Sequence, residues 1–183
     1  MNIPEEVWTV GHSRRTFEEF VALLRSFGIQ TVADVRRFAV SKRFPHFSQM
    51  QLFKSLSVLG IEYEDFGDLG GRRRPLPDSP NTLWRNEAFR GYADFMMTPK
   101  FHESVERLIE VAAKRRTAIM CAEALWWRCH RGLIADHLKA AGIKVTHIMG
   151  VSESQEHPYT SAAHIEDGKL SYAPNQTPQL VPH

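Results

Sequence analysis

A chain of 183 residues that is 43% hydrophobic and 24% charged, with a net charge of +2, suits one domain of ordinary size with a genuine core. No apolar run approaches the roughly 20 residues of a membrane helix, and the acidic start Met1–Glu6 lacks an apolar signal core, so neither insertion nor export is expected. The only cysteines, Cys121 and Cys129, do not make a secreted disulfide framework, and a reducing cytoplasm is the simpler expectation.

Val7–Val10 reads as a short buried strand, turned by Gly11-His12-Ser13. Thr16 and Glu19 match a capping box, opening a helix with Phe17, Phe20, Val21, Leu23 and Leu24 at helical spacing, which Gly28 ends. Thr31–Val35 is the second strand. A long basic loop follows through Phe38 to Phe47, and Ser48 is the expected N-cap of a helix stopping at Gly60. Ile61–Glu64 alternates as a strand should. Residues 67 to 87 hold Gly67, Gly70, Gly71, Pro75, Pro77 and Pro80, so no continuous element fits. Helical spacing returns at Phe89–Met97 and Lys100–Ala113, broken at Pro99. Thr117–Cys121 is the cleanest central strand, followed by a helix from about Cys129 to Ala141 and a last strand, Lys144–Met149.

This strand–helix alternation predicts an α/β fold, a single open, mostly parallel sheet with helices on both faces. Residues 1–150 form that domain. Residues 151–183, polar and carrying Pro158, Pro174, Pro178 and Pro182, are expected to be a largely irregular tail packed on it or trailing from it. In such sheets ligands bind beyond the carboxyl ends of the strands. That rule selects His12 and Ser13, then Asp34 and Arg36, then Cys121 and Glu123, which meet if the strands are neighbours.

Charge is unevenly spread. No acidic residue lies between Asp34 and Glu62, a stretch carrying Arg36, Arg37, Lys42, Arg43 and Lys54, and Arg72-Arg73-Arg74 forms a second basic run. Such local charge attracts phosphate-bearing ligands, although a solvated loop has the same composition.

The run Met120 to Arg131 places two thiols, a carboxylate, an imidazole and two guanidiniums between a buried strand and a helix. The helix start offers unpaired N–H groups, and Arg128, His130 and Arg131 add donors, which together describe an anion site. A cysteine there would have a lowered pKa. The plainer reading makes Cys121 a core residue, Cys129 structural, His130 packed, and Arg131 a partner for Glu123 or Asp34. Trp126 and Trp127 either stack on a base or pack. Seven residues separate the cysteines, which is not the spacing of a structural zinc site, so no metal is expected, and no cofactor.

Thr9-Val10-Gly11-His12-Ser13, Asp34-Val35-Arg36, Leu69-Gly70-Gly71-Arg72, Phe89-Arg90-Gly91-Tyr92-Ala93, Met120-Cys121-Ala122-Glu123 and Cys129-His130-Arg131 occur in this order. They resemble the signature blocks of the family named domain of unknown function 488, over about residues 9 to 148. The resemblance implies a compact bacterial-type α/β protein and no settled activity. One departure is that the family tends to have a proline near the position of Phe38 or Ala39. The layout of Asp34-Val35-Arg36, a strand ending in Cys121 and a helix ending at Gly142 is also similar to rhodaneses and cysteine phosphatases. The phosphatase spacing has five residues between cysteine and arginine. Here six lie between Cys121 and Arg128, none of them glycine, so the likeness implies a layout rather than a mechanism.

Three functions follow as expectations. The first is a hydrolase-type enzyme on nucleic acid or a nucleotide. Glu123 or Asp34 is its general base, His12 its proton donor or relay, and Arg36 and Arg131 hold the anion. Ser13, Arg72, Arg128 and His130 line the site, and Trp84, Tyr92 or Trp126 stacks a base. The second is a cysteine-based transferase or phosphatase with Cys121 as nucleophile. The third is a non-catalytic module binding nucleic acid or a partner protein through its basic loops.

Overall fold

The computed structural model describes residues 2–175. Residues 1 and 176–183, with Pro178 and Pro182 of the tail, lie outside the described residues.

Five strands, β1 (Glu6–Gly11), β2 (Thr31–Asp34), β3 (Glu62–Asp65), β4 (Thr117–Cys121) and β5 (Lys144–Gly150), form a parallel sheet in the order β3-β2-β4-β1-β5. A sixth, β6 (Glu153–Glu156), adds antiparallel to β5. The helices are α1 (Phe17–Ser26), α2 (Gln49–Val58), α3 (Glu87–Met96), α4 (Pro99–Lys114) and α5 (Arg131–Ala140).

Each central strand divides its side chains between two cores, because successive residues point to opposite faces. Trp8, Val10, Val32, Ala118 and Met120 pack with α1 and α2 on one face. Val7, Ala33, Ile119 and Cys121 pack with α3, α4 and α5 on the other. Burial on both faces explains why β4 reads as an unbroken apolar run rather than an alternating one.

Local signals act largely as the sequence implies. Thr16 and Glu19 form the reciprocal capping box. Gly28, Gly60 and Gly142 follow helix ends with positive φ, the conformation glycine adopts without steric cost. Ser48 holds the N-cap position of α2, but its hydroxyl donates to the Pro45 carbonyl and caps nothing. The last helix begins at Arg131 rather than Cys129, because a 3-10 turn over Trp126–Arg128 comes first and Cys129 is extended.

The segment after Gly150 is less irregular than its prolines predict. Besides β6 it forms a hairpin of β7 (His164–Glu166) and β8 (Lys169–Ser171). Its ordering comes from buried contacts: Tyr172 and Ala162 enter the core beside α3 and α5. Among the described residues no helix is long and apolar enough to cross a membrane.

Candidate active site

The neighbouring strands β2, β4 and β1 end at one level, with Gly11 opposite Cys121 and Asp34 opposite Met120. Backbone bonds continue the register past the strand ends: His12 N–H donates to the Cys121 carbonyl and Ser13 N–H to that of Ala122. The loop 122–124 therefore crosses the end of β1. Gly11 is required there, since a Cβ at this position would lie 1.9 Å from the Glu123 carbonyl oxygen. Ser13 turns the chain at a φ of 51°, which is strained for a residue with a side chain.

Asp34 is fully engaged. Its carboxylate takes Arg36 in a fork, Nε at 2.8 Å and Nη2 at 2.6 Å, and also accepts the Tyr63 hydroxyl at 2.6 Å and the Arg36 backbone N–H. No lone pair remains turned to a ligand, so Asp34 positions Arg36 instead of acting as a base. Burial works against the Arg36 charge, but Asp34 outweighs it and holds the guanidinium pKa above its ordinary value. Arg36 Nη1 reaches His12 Nε2 at 3.2 Å. The imidazole must accept there, so its Nδ1–H donates to the Ser13 carbonyl. Burial pushes His12 down to about 4; the hydrogen bond to the Ser13 carbonyl opposes it, and Arg36 adds a smaller push in the same direction as burial. The ring is neutral at pH 7 and stacks on Phe47.

Two adjoining clefts open over this network, of about 440 and 530 Å3. Arg36, Phe38, Arg72, Ala122 and Glu123 line both. Tyr92, Arg128 and His130 complete the first, and His12, Ser13 and Arg43 the second. Glu123 is the sole carboxylate on either lining, and among the described residues it forms no salt bridge. One of its oxygens accepts the Leu125 N–H at 3.1 Å. Arg72 and Arg128 are exposed beside it.

The floor of the first cleft is sulfur. Cys121 and Cys129 are free thiols, buried, with Sγ atoms 2.7 Å apart. Burial pushes the Cys121 thiol up. Burial would raise Cys129 too, but the contact with Cys121 and the Arg131 guanidinium bring it from 9.0 down to about 6. Cys129, expected to be structural, thus shares the floor of the cleft with the strand-end Cys121 expected as nucleophile. His130 donates from Nε2 to the Val35 carbonyl at 3.1 Å and turns its Nδ1 lone pair toward Cys129 Sγ, 3.6 Å away.

Arg131 does not reach a ligand. It is buried, and its guanidinium donates to Thr9 Oγ1 and to the Glu123 and Ala124 carbonyls, so it fixes the backbone of Glu123 and leaves both its carboxylate and Asp34 alone. With Arg131 and His130 committed, Arg128 is the donor of the expected α5 anion site that remains exposed. Below Arg131 runs a buried relay. Thr9 donates to His147 Nδ1 at 2.6 Å, His147 Nε2–H to His157 Nδ1 at 2.8 Å, and His157 Nε2–H to Asp136 at 2.8 Å. Thr160 and Tyr172 satisfy the remaining Asp136 lone pairs. These histidines therefore serve this chain. Among the described residues no group of three His, Cys, Asp or Glu is placed to hold a metal.

Of the expected stacking rings, Trp126 is buried against His147, Tyr92 donates to the Leu69 carbonyl inside the core, and Trp84 packs on Phe89 and Tyr172, while Trp127 is exposed but lines neither cleft. The ring that faces both clefts is Phe38, 65% exposed. Its signal in the sequence was an apolar residue inside a run of cations.

A family model described as Domain of unknown function DUF488 matches residues 16–138. No curated protein and no solved structure matches the chain.

Proposed function

The chain belongs to the family described as Domain of unknown function DUF488, and from that premise, which assigns no reaction, we propose an enzyme that acts on a phosphate-bearing substrate with Glu123 as general base. The observation that carries this reading is a single carboxylate, free of any salt bridge among the described residues, on a lining otherwise populated by arginines. Arginine guanidiniums bind phosphate oxygens through paired N–H groups. Arg36 uses three of its five donors on Asp34 and His12, which leaves two, in a fixed orientation, for a ligand. Arg72 and Arg128 supply charge that forms no salt bridge among the described residues.

A base standing among bound anion donors meets the proton of an attacking water or hydroxyl, and general base catalysis of this kind contributes about 10²–10⁴-fold. Neutral His12 has its Nε2 lone pair on Arg36, which orients the guanidinium. Phe38 offers a face for a base, which favours a nucleotide or nucleic acid over inorganic phosphate.

The test is Glu123→Gln, assayed for hydrolysis of nucleotides and short oligonucleotides. Turnover should fall at least about 100-fold while substrate binding stays within about twofold. Arg128→Ala should instead weaken binding and flatten its salt dependence. Unchanged turnover in Glu123→Gln would remove the enzyme reading and leave a binding module.

A further inference from the structure

The buried guanidinium of Arg131 poses a question of charge. No carboxylate touches it among the described residues: its hydrogen bonds go to a hydroxyl and two carbonyls, and Nε has no partner. Asp136, the nearest acid along its polar contacts, is separated from it by Thr9, His147 and His157. A buried cation without an adjacent anion is costly, because its charge is taken out of water with nothing to compensate it. The groups able to ionise against it are the two thiols, both of which face the guanidinium. Cys129 is the better placed. The Arg131 backbone N–H points at its Sγ from 3.5 Å, it lies two residues before the first residue of α5, and the Cys121 Sγ is in contact with it.

Two thiols in contact, beside a buried arginine that has no carboxylate partner among the described residues, both lining an open cleft, are the parts of a dithiol exchange centre. We propose that Cys121 and Cys129 are such a centre, reducing low-molecular-weight disulfides that enter the arginine-lined cleft. The Cys129 thiolate attacks one sulfur of a disulfide R–S–S–R, forming Cys129–S–S–R and releasing R–S⁻. The Cys121 thiol then attacks Cys129 Sγ, closing the Cys121–Cys129 disulfide and releasing R–SH, which takes the Cys121 proton. Two electrons pass from the cysteine pair to the incoming disulfide. Neither Glu123 nor Phe38 takes part, so the centre stands or falls apart from the hydrolytic reading.

Oxidised glutathione is a suitable probe, because its carboxylates match the charge of the cleft. The full chain is exposed to it near pH 7.5, quenched with acid, alkylated and weighed by intact-mass spectrometry. The wild type should lose both alkylatable thiols together, its mass falling by two hydrogens with no lasting adduct. Cys121→Ser should stop at one glutathione adduct on Cys129, and Cys129→Ser should react at least tenfold more slowly. Retention of both thiols in the folded wild type, under conditions that oxidise the urea-unfolded chain, overturns the proposal without any variant. So does a stable adduct on wild-type Cys129 that Cys121 never resolves, or preferential adduct formation at Cys121.

Discussion

Asp34 and Glu123 are carboxylates at the ends of strands that lie within one sheet, yet their surroundings assign them opposite tasks. Asp34 accepts four hydrogen bonds and is buried with Arg36, whereas Glu123 is exposed and accepts one. Asp34→Asn should therefore cost about 3–5 kcal/mol, because it leaves the Arg36 charge buried without its counterion. Glu123→Gln should stay within about 0.5 kcal/mol, as surface substitutions do. Urea titration of both variants measures this, and equal stabilities would mean that the Asp34–Arg36 pair is not the anchor of the site. The sequence located both acids correctly at strand ends. It could not divide their roles, because the partner of Asp34, two residues on, is chosen by the loop's path and the hydroxyl of Tyr63 by the pairing of β3 with β2.

At the level of elements, the irregular stretch from Gly67 to Asn86 is tied to α3. Asp94 on α3 accepts from Leu76 N–H, Ser79 Oγ and Asn81 Nδ2, and the Arg73 guanidinium lies 3.7 Å from the centre of the Phe95 ring. Gly91 lets the two approach: a Cβ there would lie 2.3 Å from the Arg73 carbonyl oxygen. Replacing glycine by alanine inside a helix ordinarily gains about 0.5–1 kcal/mol. Here the sign should reverse, with Gly91→Ala losing about 1–3 kcal/mol through overpacking, as read from the shift of a denaturation midpoint. A gain would show that the segment yields easily. Element order and type were legible because strand and helix periods differ and the capping signals are strong. The packing of a glycine- and proline-rich stretch was not, since its order comes from side chains remote in sequence such as Asp94.

For the whole molecule, the buried histidines set an acid limit. Burial pushes His12 and His137 to about 4 and His147 to about 2 from 6.5. The unfolded chain then binds protons that the folded one refuses, so stability is intact above pH 6.5 and declines as pH falls toward 4. Tm should fall by more than about 5 °C between pH 7 and 4.5. A flat profile in differential scanning calorimetry would mean that these imidazoles are protonated in the native state. The convergence of His12 with Glu123 at neighbouring strand ends followed from the sequence through the parallel-sheet rule. The histidine relay did not, since its members come from β1, α5, β5 and the tail and share no spacing.

That relay has a bearing on where the chain can be cut. The family match stops at residue 138, yet His157, Thr160 and Tyr172, which donate to Asp136, and His147, which donates to His157, all lie beyond it. A fragment trimmed to the match would also forfeit β1, β5 and β6, and would strand a naked carboxylate in oil. The recognisable portion and the portion able to fold are therefore different lengths of polypeptide. Expression boundaries drawn for relatives should follow the donors to this aspartate rather than the edge of sequence similarity.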